Sequence, residues 1–93
     1  MRKIIRTDGT TTDLAQRLPM AQISASINAD TLDTVVLRHM GHPMHVMVVD
    51  DSGHTKGLPV NEEATRLYHF NCLPGTTHQI RGDVVVVPDA DFD

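Results

Sequence analysis

The sequence predicts a small α+β domain built in the order β-β-α-β-β-α-β. Three observations lead to this class. Runs rich in β-branched residues, "TVVL" at 34–37, "VMVV" at 46–49 and "VVVV" at 84–87, are strand signals. Two other stretches, "PMAQISASIN" at 19–28 and "NEEATRLYHFN" at 61–71, carry helical spacing instead. The chain has 93 residues, enough for one hydrophobic core and no second. The mixed order predicts a mixed sheet with two helices packed on one face. Residues 1–88 form the domain, and the acidic "DADFD" at 89–93 is expected as a frayed C-terminal tail.

The elements follow in chain order. "RKII" at 2–5 and the threonines 10–12 flank Asp8-Gly9, a hairpin turn signal because glycine tolerates positive φ. Pro19 suits the first turn of a helix, where its missing N–H costs nothing. Met20, Ile23 and Ile27 set a helical period, Ser24 interrupts the apolar stripe, and Asn28 is a reasonable terminator. "TVVL" and "VMVV" flank Gly41 and Pro43 and read as a second hairpin. A polar stretch from Asp50 to Pro59 leads to the second helix. Asn61 is placed to cap it, and Glu62 and Glu63 fall where the helix dipole favours negative charge. Ala64, Leu67 and Tyr68 form its buried stripe, with Arg66 and His69 turned outward. Pro74-Gly75 marks a turn. The four valines then read as a strand buried on both faces, hence central in its sheet.

Composition narrows the function. Tyr68, Phe70 and Phe92 are the only aromatic residues, so the core is aliphatic. Cys72 is the single cysteine, which forbids an internal disulfide and fits a reducing, cytoplasmic setting. No apolar run is long enough for a signal peptide or approaches the ~20 residues that span a bilayer. The net charge is −4. It is uneven: residues 1–46 carry five basic and four acidic side chains, residues 47–93 three and eight. The eight basic residues are scattered, so no phosphate-binding patch is expected and nucleic acid is not the expected partner.

"KGLPVNEEATRLY" at 56–68, followed by "IRGDVVVV" at 80–87, resembles the domain-of-unknown-function family 3846. "INADTLDTVVL" at 27–37 extends the resemblance over most of residues 19–88. The shared pattern is a Lys-Gly-Leu-Pro-hydrophobic-Asn segment, a helix, and an Ile-x-Gly-Asp start to a strand. The family's members are small proteins of bacteria, phages and plasmids with no established reaction. The resemblance therefore implies an accessory role on a mobile element and supplies no mechanism. The His- and Met-rich turn at 39–45 departs from the family pattern.

That turn, "HMGHPMH", is the first chemical candidate. With Gly41, His42 and Pro43 at its tip, His39 faces His45, Leu37 faces Met47 and Val35 faces Val49. His39, His42 and His45 are then the ligands of a metal-binding alternative. Zinc wants four ligands, and no carboxylate or thiol is nearby in sequence. The structural reading makes His39 and His45 a cross-strand pair at the end of the core.

The second candidate is "KGLPVN". Its functional reading is a ligand loop at a helix N-terminus, with binding residues Lys56, Gly57, Asn61 and Arg66. Its structural reading has Gly57 and Pro59 shaping the turn, Leu58 plugging the core and Asn61 capping the helix. The third candidate is a small enzyme using Cys72 with His69 or His78. Cys72 follows the end of a helix, the wrong end for lowering a thiol pKa. Asp50-Asp51 reads as a charged strand end, and "RGD" at 81–83 as a turn into the last strand. The resulting expectation is a non-enzymatic binding or accessory module, without cofactor, taking a protein partner or a small ligand.

Overall fold

The computed structural model describes residues 2–37, 45–71 and 78–92. In chain order it contains β1 (Lys3–Ile5), β2 (Thr11–Asp13), α1 (Met20–Ser26), β3 (Leu32–Leu37), β4 (His45–Asp50), α2 (Glu62–Asn71) and β5 (Val84–Pro88). A 3-10 turn over Asp89–Phe92 follows. The strands form one five-stranded sheet in the order β2-β1-β5-β4-β3. The α+β class and the order of elements are those expected from the sequence.

Two details of the expected architecture are corrected. Every strand pair is antiparallel, so the sheet is not mixed. The helices also lie on opposite faces. α2 contributes Ala64 to a core with Ile5, Leu37, Met47, Val49, Val84 and Val86. α1 contributes Ile23 and Ile27 to a second core with Ile4, Val48, Val85 and Val87. The physical reason is the strand period of two: Val84 and Val86 point to one side, Val85 and Val87 to the other. All four valines are buried, so each face needs its own cover. β5 is the central strand, as its unbroken apolar run predicts.

Local chemistry explains the connections. In the first hairpin Arg6 and Thr10 close the loop (N···O 2.9 Å), and the Gly9 N–H returns to the Arg6 carbonyl (3.0 Å). Gly9 sits at φ 90°, and Asp8 Oδ1 accepts from the Thr10 N–H and hydroxyl. α1 begins after Pro19, whose carbonyl accepts the N–H groups of Gln22 and Ile23. It ends at Asn28, in the left-handed region at φ 55°, with Asn28 N–H bonded to Ala25 O and Ala29 N–H to Ser24 O. These two bonds are the Schellman closure of a helix end. The Ser24 hydroxyl donates to the Ala29 carbonyl, which gives the polar residue in the stripe its partner.

The second hairpin has a different register from the one expected. Leu37 pairs with His45, Val35 with Met47 and Asp33 with Val49. The expected pairing of His39 with His45 is therefore corrected: Leu37 occupies that place. The tail is not frayed over 89–92. Arg2 grips the Asp91 carboxylate through Nε (2.7 Å) and Nη2 (2.8 Å), and Arg17 donates to the Asp91 carbonyl.

Candidate functional site

Asn61 joins three parts of the fold. Its side chain is fully buried. Nδ2 donates to the carbonyls of Ile5 and Gly82, both at 3.0 Å, and Oδ1 accepts from the Ala64 N–H at 3.1 Å. The last bond is the helix cap the sequence predicts. The first two tie the end of β1 to the approach to β5. The Asn61 N–H also donates to Ile80 O, and Thr65 Oγ1 accepts from the Ile80 N–H (2.9 Å). The three hydrogen bonds of the Asn61 side chain are internal, so it is a structural anchor and not an exposed ligand contact.

The Gly-Asp pair of "IRGD" meets the Gly-Leu-Pro of "KGLPVN" at the same place. The Gly82 N–H donates to Pro59 O (2.9 Å), and Arg81 Nη1 to Leu58 O (3.0 Å). Gly82 adopts φ 84° and lies against Leu58. Asp83 accepts the Thr7 N–H at 3.0 Å and pairs with Arg6 at 3.3 Å. Arg81 and Asp83 are thus both bonded to neighbouring segments of the protein, in agreement with the reading of 81–83 as a turn.

Lys56 does reach a cleft. The segment 53–58 makes a single helical turn closed as α1 is closed: Gly57 N–H bonds to His54 O and Leu58 N–H to Gly53 O, with Gly57 at φ 68°. The Lys56 Nζ contacts Asp50 Oδ2 at 2.9 Å and lies 3.8 Å from Asp30 Oδ2. The Asp50 side chain is only 1% exposed, and its other oxygen accepts the Ser52 N–H. The hydrogen bond to Asp50 holds the Lys56 ammonium above its ordinary pKa.

The two Schellman closures flank a cleft of about 480 Å³, lined by Thr7, Ile27, Asn28, Asp30, Lys56, Leu58, Pro59, Gly82 and Asp83. Of the expected binding residues, Lys56 alone lines it. Gly57 is adjacent and exposed, Asn61 is buried, and Arg66 is 73% exposed in an i,i+3 pair with Glu63. The structure thus does not bring these four residues together in one site, a correction to the ligand-loop reading. Glu62 and Glu63 occupy the first turn of α2, and Asn61 takes one of its free N–H groups. The two carboxylates and the cap oppose an anion at this helix end.

Sequence reasoning missed Thr7, Asp30 and Asp83 as cleft residues. Asp30 follows a helix terminator and Asp83 follows a left-handed glycine. Both are common surface settings, and nothing in their spacing joins them to Lys56.

His39, His42 and Cys72 lie outside the described residues. His45 is buried in β4 between Leu37 of β3 and Pro88 of β5. His69 Nε2 donates to His78 O at 2.6 Å, and the Tyr68 ring contacts both imidazoles. Among the described residues no group of three or more His, Cys, Asp or Glu is arranged to hold a metal. Among them, too, no helix is long and apolar enough to cross a membrane.

Comparison with protein-family models, curated proteins and solved structures returned no match.

Proposed function

We propose that the protein is a non-enzymatic binding module whose site is the cleft between the end of α1 and the 53–59 turn. One observation carries this reading: a cleft of about 480 Å³ is lined by both apolar and charged residues, and Gly82 in its lining is held by the Asn61 hydrogen bond. Ile27, Leu58 and Pro59 supply apolar surface, while Asp30, Lys56 and Asp83 supply charge. A few polar groups on a preformed apolar recess are what small ligands and single side chains of a partner use. Among the described residues, Asn61 is engaged in the fold by hydrogen bonds, His69 bonds the His78 carbonyl, and His45 is buried in the sheet. An accessory role on a mobile element, as the family resemblance implies, is consistent with a small module that binds and does not react.

The test is a nuclear magnetic resonance screen of small charged and polar fragments against the ¹⁵N-labelled protein. Binding should move the amides of Thr7, Asn28, Asp30, Lys56 and Gly82 together. Fragments that bind only elsewhere, or no saturable binding at all, overturn the assignment of the site.

A further inference from the structure

The cleft's charges point to the chemistry of its ligand, an inference that rests on the binding reading above. Two carboxylates line it, Asp30 and Asp83, against one ammonium, Lys56. The lining therefore carries one negative charge in excess. Lys56 is not available to an anion, because Asp50 already holds its ammonium at 2.9 Å. An incoming anion would be placed beside Asp30 and Asp83, an arrangement that like-charge repulsion opposes.

Asp30 is the unspent group. Its side chain is 93% exposed, and its single ion-pair contact, to Lys56, is 3.8 Å long. The same cleft carries the hydrocarbon surfaces of Ile27, Leu58 and Pro59. A carboxylate beside apolar surface fits a cationic head on an aliphatic stem, which buries its methylenes and keeps its charge in solvent. The protein's net charge of −4 favours the approach of such a partner.

We propose that the cleft receives a lysine or arginine side chain from a basic segment of a partner protein. The ammonium or guanidinium meets Asp30, with Asp83 behind it, and the stem lies on Leu58 and Ile27.

The test uses three capped amino acids as probes, followed through the amides of Thr7, Asn28, Asp30 and Gly82. They are Nα-acetyl-lysine methylamide, its norleucine counterpart without the ammonium, and the glutamate counterpart. The lysine probe should bind saturably and weaken as salt is raised. The norleucine probe should bind about tenfold more weakly, the order of effect of one hydrogen bond to a charged group. Asp30→Asn should weaken the lysine probe about fivefold, while Asp13→Asn on β2 leaves it unchanged. If the norleucine or glutamate probe matches or exceeds the lysine probe at these residues, the cationic assignment fails and the cleft remains the site. If no probe moves them, or if Asp30→Asn has no effect, the partner assignment also fails, and a fragment of another class moving them keeps the cleft.

Discussion

The carboxamide of Asn61 donates a hydrogen bond to the carbonyl of Gly82 across 3.0 Å in the interior of the protein. This contact joins the two stretches that stand out in the sequence, "KGLPVN" and "IRGD". One supplies the buried donor and the turn, the other the carbonyl and a left-handed glycine. The two stretches thus form a tertiary joint, and the candidate site is the cleft beside it.

Two glycines at this joint should resist alanine for different reasons. Gly82 holds φ 84°, and an added Cβ would lie 2.8 Å from Leu58 Cδ1. That methyl can move, so the backbone angle dominates, and Gly82→Ala should cost about 1–2 kcal/mol. At Gly53 the clash is with the backbone carbonyl of Arg81, 2.9 Å away. Gly53→Ala must separate the two loops, and should cost at least as much by urea unfolding. A Leu58→Ala background should relieve little of the Gly82→Ala loss and none of the Gly53→Ala loss.

The central strand supports a second prediction. Val85 and Val86 are both fully buried, on opposite faces. Val85→Ala and Val86→Ala should each cost about 2 kcal/mol. A one-sided sheet would lose stability from only one of them, so comparing the two unfolding midpoints checks the two-faced arrangement.

The termini support a prediction in pH. Arg2, through its hydrogen bonds, holds the Asp91 carboxyl below its usual range. A depressed carboxyl pKa contributes stability that is present above the unfolded value of about 4. This contribution is lost as pH falls through the lower folded value. Asp91→Asn should therefore be less stable than the wild type at pH 7, and the gap should be smaller at an acid pH below the folded value of Asp91. Urea titrations at both pH values measure it; an equal gap at both would show that the pair's charge is not the cause.

Metal should not bind tightly through His45. That imidazole is buried at the start of β4 between Leu37 and Pro88, where the four ligands zinc prefers are not assembled among the described residues. Calorimetric titration with zinc, nickel and copper should show no binding tighter than about micromolar. Tighter binding abolished by His45→Gln would restore the metal reading.

The sequence made the elements legible because they follow local rules: valine runs, Asp8-Gly9, Pro19, and Asn28 and Asn61 at helix ends. The register of β3 on β4 was not legible. A slip of two residues leaves every side chain on the same face, so alternation cannot see it. The expected placement of both helices on one face neglected what the four valines already required, cover on two sides. The anchoring roles of Asn61 and Asp83 are half local. A cap is visible three residues before the amide it bonds; a carbonyl 21 or 56 positions away is not. The cleft was least legible, because Thr7, Asp30, Lys56 and Asp83 come from four separate loops that only the folded sheet brings together.

Equilibrium unfolding of Asn61→Ala tests most directly whether these motif residues are spent on the fold. The substitution orphans the carbonyls of Ile5 and Gly82 and removes the cap of α2, and a loss of about 3–5 kcal/mol is expected. Asn61→Asp keeps the cap acceptor but no donor, and should also be strongly destabilised. An Asn61→Ala protein within about 1 kcal/mol of the wild type would contradict the account and return Asn61 to the list of candidate ligand contacts.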